Sequence, residues 1–201
     1  MAKRWVKKWL TAFAVPFTAI IGIYYGWLYL KAPIIPEEFT GSREQISKIS
    51  RQLVDLTAST NYKIKDINYL ETDGHYAAAL TLVTKAREEN QSAFNQAVEL
   101  SNQLKTMTES LPKFNSQENR QISQEAISLE MALIIHFINY TKAVEDLLTT
   151  LRNKFITPTA KYQRDINIKL SDINSQALLI NNLNKQFIEK MAELDSQTGK
   201  K

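Results

Sequence analysis

The 201-residue chain contains no cysteine. This absence excludes disulfide bonds, thiolate metal ligands and a thiol nucleophile, so the folded part must be stabilised by packing alone. Histidine is also scarce, with two residues in the chain. No glycine-rich loop that could cradle a phosphate is present, and no catalytic motif is found. These absences predict that the protein is not an enzyme and that it carries no metal and no cofactor.

Glycine and proline are few, with five of each. Beyond residue 30 they fall in one linker, near three turns and in the tail, and four uninterrupted segments of helix length lie between them. The predicted helices and their flanks are a linker at 31–41, helices at 42–71, 75–111, 116–156 and 160–194, and a flexible tail at 195–201.

Each of the four segments carries apolar residues at alternating spacings of three and four, in heptad-like seams typical of helices that pack side by side. Short connections make consecutive helices antiparallel neighbours. The sequence therefore predicts an all-α protein, with a long antiparallel four-helix bundle over residues 42–194. Ser42, Asp73 and Asn115 are the predicted N-caps of the first three helices, and Glu118 completes a capping box with Asn115.

A different composition marks the first 30 residues. Residues 9–30 contain no Asp, Glu, Lys or Arg, and 22 helical residues span about 33 Å, enough to cross a hydrocarbon core. Aromatic residues stand at both ends of this run, as membrane interfaces favour. No small-x-small cleavage motif follows the apolar region, so the segment is predicted to be an uncleaved signal anchor.

The flanking charges predict the orientation of this anchor. Four cations lie within residues 1–8, whereas Lys31 is the only cation close behind the span. The positive-inside rule then places residues 1–8 in the cytoplasm and the bundle outside it, as a single-pass protein of the cytoplasmic (inner) membrane. Residues 32–201 hold 20 basic and 21 acidic residues. The positive net charge therefore follows from topology, and no nucleic-acid partner is predicted.

Two candidate sites follow from single residues. Gly22 and Gly26 form a G-x-x-x-G motif in the predicted span, where small residues allow a second membrane helix to approach closely. The alternative is a chance pair, because glycine is common in membrane helices. The motif predicts self-association through the span.

The second candidate is a buried polar layer. His136 is the one histidine on a predicted apolar stripe, and heights counted from the turn near residue 114 put Asn90 within about one helical turn of it. We predict that Asn90 and His136 form a hydrogen bond, with Tyr140 one turn further along. Two roles remain open for this layer. It fixes the register of the helices, or it forms a ligand pocket in which Ala177 leaves room.

The expected function is that of a membrane-anchored extracytoplasmic scaffold or adaptor, whose partners are the lipid bilayer and other membrane or envelope proteins. The alternative is a ligand-sensing domain, because the predicted architecture resembles the extracytoplasmic four-helix domain of chemoreceptors. A sensor of this kind would act through a membrane partner.

Overall fold

The computed structural model describes residues 35–157 and 161–197. These residues form four long helices: α1 (Glu37–Thr72), α2 (Tyr76–Ser110), α3 (Gln117–Ile156) and α4 (Lys161–Gln197). A single 3-10 turn, Leu111–Lys113, precedes α3, and no strand occurs in the described ranges. The prediction of an all-α fold is confirmed. The predicted span at 9–30, with Gly22 and Gly26, lies outside the described residues. Among α1 to α4, none has an apolar stretch that would suit a membrane crossing.

The helices pack as a four-helix bundle, with α1 along α2, α2 beside α3 and α3 along α4. The backbones of α1 and α4 approach each other less closely than the backbones within these three pairs. The helices have 35 to 40 residues, which corresponds to about 53 to 60 Å. Their inner stripes bury a continuous core, whose largest fully buried side chains are Phe39, Ile46, Ile64, Ile67, Leu100, Leu104, Leu147, Leu148, Leu151, Ile166, Ile173 and Leu194.

Helix α1 begins earlier than predicted. It starts at Glu37, directly after Pro36, so the last five residues of the predicted linker 31–41 are helical. Two acidic residues in the first turn interact favourably with the helix N-terminus. Phe39 is fully buried and packs edge-to-face on Phe114, with ring centroids 5.1 Å apart. This contact favours helix at Gly41 and Ser42, and Ser42 is buried inside the helix instead of capping it.

Two other predicted caps were wrong. Ser116, not Asn115, caps α3, because its Oγ accepts a hydrogen bond from the Asn119 backbone at 3.2 Å. Asp73 is the C-cap of α1, and no side chain caps the start of α2. Gly74 adopts φ 78° between them, a conformation that glycine adopts without strain. The chain therefore reverses at Gly74, which leaves Asp73 on the α1 side of the turn.

The C-terminal helix runs further than its apolar stripe suggests. Helix α4 continues to Gln197, so the first three residues of the predicted tail 195–201 are helical. Gln197 Nε2 donates a hydrogen bond to Glu118 Oε1 at 2.6 Å, which joins the end of α4 to the first turn of α3. The polar sequence after Leu194 gave no sign of this contact.

Candidate functional site

Buried polar side chains cluster near the middle of the bundle. Their exposed fractions are between 2 and 8%. They come from three helices, and they are Thr57, Thr60 and Asn61 on α1, Asn90 on α2, and Tyr140 and Thr141 on α3. On α4, Gln176 precedes the fully buried Ala177. Gln176 forms a hydrogen bond with His136 of α3, which lies one turn from Tyr140. We call the six polar residues the central polar layer.

Two hydrogen bonds organise the central polar layer. The Tyr140 hydroxyl donates to Asn61 Oδ1 at 3.2 Å, which links α3 to α1. Asn90 Nδ2 donates to the backbone carbonyl oxygen of Thr141 at 2.8 Å, which links α2 to α3. Burial raises the pKa of Tyr140, and the bond to Asn61 opposes this only in part. The phenol is therefore neutral and acts as a donor.

His136 lies outside this layer. Its side chain is half-buried, and its Nδ1 forms a hydrogen bond with Gln176 Oε1 at 2.9 Å. The structure thus brings Asn90 close to Tyr140, because Asn90 bonds to the carbonyl of Thr141, the next residue on α3. Asn90 and His136 have separate partners, whereas the sequence predicted a direct bond between them. The cause is the orientation of α3 about its own axis, which differs from the predicted one. Phe137 has more apolar surface to bury than His136, so it takes the core position and His136 turns to the groove beside α4.

Glu130 is a buried residue that sequence reasoning missed. Its side chain is fully buried, and neither carboxylate oxygen has a hydrogen-bond partner in the described part of the chain. Burial alone raises its pKa to about 7, because a charged carboxylate is poorly solvated in an apolar interior. The sequence contained a signal for this burial, because Glu130 lies seven residues before Phe137 and fourteen before Val144. These spacings place the three residues on one face of the helix.

A small cavity lies in the core one to two turns from the central polar layer. Each helix contributes to its wall, with Ser50 from α1, Ala97 from α2, Phe137 from α3 and Ile180 from α4. Its volume is about 10 Å³, the lower limit for a single water molecule. This cavity offers no room for an organic ligand.

Ion pairs fix the relative heights of the helices. Lys63 pairs with Glu89 between α1 and α2, at 2.7 Å. Arg87 Nε donates to Glu145 Oε1 between α2 and α3, also at 2.7 Å. Three other pairs join α1 to α3 (Glu71 and Lys154) and α3 to α4 (Asp146 and Lys169, Glu125 and Lys190). Partly exposed pairs contribute little stability each, but together they define which residues face each other.

Ten large apolar side chains of the described residues are exposed. They are Tyr62, Tyr69, Tyr76, Val98, Met131, Ile135, Ile156, Ile168, Leu178 and Leu179. Single exposed apolar residues need no explanation, but clusters mark interaction surfaces. Two groups of these residues lie on pairs of helices, one on α2 and α3 and one on α1 and α4.

The first group is Val98, Met131 and Ile135, which we call the α2/α3 patch. Val98 follows Arg87 by three turns and therefore points to the α3 side, as Arg87 does. The bond between Asn90 and Thr141 puts Val98 at the height of residue 133, so Met131 and Ile135 flank it within about 3 Å along the axis. Their exposed fractions are 41, 41 and 54%. The α2/α3 patch therefore exposes three large apolar side chains at neighbouring heights.

Within the described residues, no group of three His, Asp or Glu side chains could hold a metal ion. Comparisons with protein-family models, with curated proteins and with solved structures gave no match. A functional assignment must therefore be argued from the chain itself.

Proposed function

We propose that the protein is a membrane-anchored extracytoplasmic adaptor, a rigid helical bundle that binds other proteins of the cell envelope. The α2/α3 patch is the observation that carries this proposal. It exposes three large apolar side chains on a bundle whose inner stripes are already filled. Apolar surface that the fold does not use internally is available to a protein partner.

The ligand-sensing alternative has less support. A sensor of a small organic molecule needs a pocket that buries most of the ligand, and such pockets have volumes of about 300 Å³ or more. The cavity beside Phe137 is far below this size. Asn90 and Tyr140 already donate their hydrogen bonds to groups of the protein.

Membrane anchoring rests on the sequence of residues 9–30 and on the charges that flank them. Helix α1 starts at Glu37, a few residues after this segment. The bundle would therefore stand with the start of α1 at the membrane, and its far end would be about 60 Å away. An adaptor of this shape presents its sides, including the α2/α3 patch, to proteins at several heights above the bilayer.

Anchoring and orientation are tested with the full chain in intact spheroplasts. Externally added protease should digest the bundle, because the proposed orientation places it outside the cytoplasm. A bundle that resists protease in intact spheroplasts but is digested after lysis would contradict the localisation.

Partner binding is tested by co-purification from mild detergent. We expect a partner at fixed stoichiometry with the wild type, and loss of this partner in the variant Ile135→Lys. Ser128→Lys is the matched control, because Ser128 is an exposed polar residue one heptad earlier on α3. The proposal fails if nothing co-purifies at fixed stoichiometry, or if Ile135→Lys retains the partner as well as Ser128→Lys does.

A further inference from the structure

We propose that the outward face of α1 is the contact surface between two parallel copies of this chain. This face begins at Glu44 and ends at Tyr69, and its residues recur at spacings of four and three. We call it the outer α1 stripe. A repeat of this kind keeps one seam of a helix facing a neighbouring helix. The inner stripe of α1, which includes Ile46, Leu53 and Ile64, is already buried in the core.

The second half of the outer α1 stripe consists of Ala58, Tyr62, Lys65 and Tyr69, so its large apolar side chains are both aromatic. Tyr62 and Tyr69 are one heptad apart, so they project from the same side of α1. They are 64 and 66% exposed, the highest values among the large apolar side chains of the described residues. Ala58, half-buried, continues the stripe one turn before Tyr62. Tyrosine is enriched in protein interfaces, because its ring buries a large area at low entropic cost.

Helix α4 carries a further exposed apolar residue. Leu178, 62% exposed, follows Gln176 by two residues, so it points about 200° away from the side on which Gln176 contacts α3. It therefore points away from α3. The bonds of α3 to Asn61 and to Gln176 put Leu178 at the height of Asp55, about one turn from Ala58 and two turns from Tyr62. Leu178 thus adds one exposed apolar side chain on α4 near the height at which the stripe on α1 passes from charged to apolar residues.

The first half of the stripe carries charges of both signs. Its residues are Glu44, Lys48, Arg51 and Asp55, all exposed. Glu44, Lys48 and Asp55 form no ion pair with other described residues. In a parallel pair of helices in register, a seam residue lies opposite its counterpart and also contacts the residues one turn along on the partner helix. Glu44 of one copy would then meet Lys48 of the other, and symmetry would make this contact twice.

The place where residues 1–34 join the bundle explains why we propose a second copy of this chain as the partner of the outer α1 stripe. Residues 1–34 join the bundle at Ile35, and only residues 31–36 separate the predicted span from α1. Six extended residues reach at most about 20 Å. If two spans pack at Gly22 and Gly26, their two α1 helices must therefore start close together and run in the same direction. This step rests on the proposed membrane anchoring, and it favours a two-fold pair in which each α1 residue lies at the height of its counterpart.

The absence of cysteine makes the test direct. In the full chain, in membranes, we would introduce Tyr62→Cys or Tyr69→Cys and oxidise mildly. A disulfide needs Cα atoms about 5.5 to 6 Å apart, which a parallel pair provides between identical positions. Val98→Cys is the control, because Val98 is exposed on α2, away from the stripe. We expect at least tenfold more covalent dimer from Tyr62→Cys and Tyr69→Cys than from Val98→Cys.

Charge variants separate specific pairing from chance collision. Lys48→Glu should lower the dimer yield of Tyr62→Cys severalfold, because the two copies would then bring four carboxylates together at positions 44 and 48. The double exchange of Glu44→Lys with Lys48→Glu should restore the yield. The proposal is overturned if a chain that sediments with membranes gives no dimer at Tyr62, or gives as much dimer at Val98. Failure of the anchoring proposal is recognised separately, since the chain would then remain in the supernatant. A supernatant chain that still forms the Tyr62 dimer would support the interface and contradict the anchor.

Discussion

The Tyr140 hydroxyl on α3 donates a buried hydrogen bond to Asn61 on α1 across the interior of the bundle. The two helices are not neighbours in the chain, so this bond ties the first hairpin to the second. Tyr140→Phe keeps the ring but leaves the Asn61 oxygen without its donor. We expect the free energy of unfolding to fall by about 1–2 kcal/mol, measured by chemical denaturation.

Tyr76→Phe is the matched control for this variant. Tyr76 is exposed and its hydroxyl has no hydrogen bond among the described residues, so its removal should change stability by less than about 0.5 kcal/mol. Equal effects of the two substitutions would show that the bond to Asn61 contributes nothing.

A double-mutant cycle tests the separate partners of Asn90 and His136. Asn90 is bonded to the Thr141 carbonyl and His136 to Gln176. Because the two residues share no partner, the destabilisation caused by Asn90→Ala and by His136→Ala should add to within about 0.5 kcal/mol. A coupling energy well above this value would instead favour the direct Asn90–His136 bond that the sequence predicts.

Glu130 should make the bundle more stable at acid than at alkaline pH. Its pKa in the folded chain is about 7, whereas an unfolded glutamate has a pKa of about 4.3. Between these values the folded chain holds a proton that the unfolded chain has released. Stability therefore falls as the pH rises from about 4.3 to about 7 and is constant above it, with a total loss of about 4 kcal/mol.

Glu130→Gln removes this dependence, because the amide does not titrate. The variant should match the wild type near pH 4 and exceed its stability at pH 8, measured by denaturant titration at each pH. Glu88→Gln, an exposed position on α2, is the control and should keep the decline. If the stability of Glu130→Gln still falls with rising pH as that of the wild type does, the decline is caused by another group.

Two glycines should respond to alanine in opposite directions. Gly41 lies inside α1, and an added Cβ would meet no atom within 4 Å. Gly41→Ala should therefore stabilise the protein by about 0.5–1 kcal/mol. Gly74→Ala should destabilise it, because φ is 78° there and a Cβ strains that conformation. Thermal melts check both, and a destabilised Gly41→Ala would contradict the early start of α1.

The G-x-x-x-G motif gives a prediction for the segment outside the described residues. Replacing Gly22 and Gly26 by Ile should abolish self-association of the isolated span in a membrane two-hybrid assay, because bulky side chains keep two helices apart. Phe17→Ile and Tyr24→Ile, on the opposite face of the predicted helix, are controls. A span that never associates would make the glycine pair a chance occurrence.

Periodicity predicted α2 and α4 well. In α4 every residue of the predicted stripe is buried, and these residues are Ile166, Leu170, Ile173, Ala177, Ile180, Asn184, Phe187, Met191 and Leu194. In α3, which is apolar over a wider arc, two adjacent stripes compete. Six residues of the predicted stripe are buried, namely Ile122, Ala126, Leu133, Tyr140, Leu147 and Leu151. Its other members, Leu129, His136 and Ala143, are half-buried, whereas the adjacent Glu130, Phe137 and Val144 are buried in their place. A single helix pattern does not decide between such stripes, because the choice depends on how the other three helices fill the space.

The sequence predicted the helix ends and the buried polar residues less well than the apolar stripes. The early start of α1 depends on the contact of Phe39 with Phe114, which are 75 residues apart in sequence. Glu130 was not predicted to be buried, because an unpaired carboxyl is costly in an apolar core. Both features follow from tertiary packing, which overrides local preference.

The close pairing of α1 with α2 and of α3 with α4 also bears on how the chain acquires its structure. Each hairpin is formed by neighbouring segments, so its contacts close after short loops, and contacts of this kind give fast folding. Residues up to Ser110 contain the whole first hairpin. This hairpin can therefore form while the second is still being synthesised. The bond between Tyr140 and Asn61 joins the two hairpins, so it forms only after α3 has been synthesised.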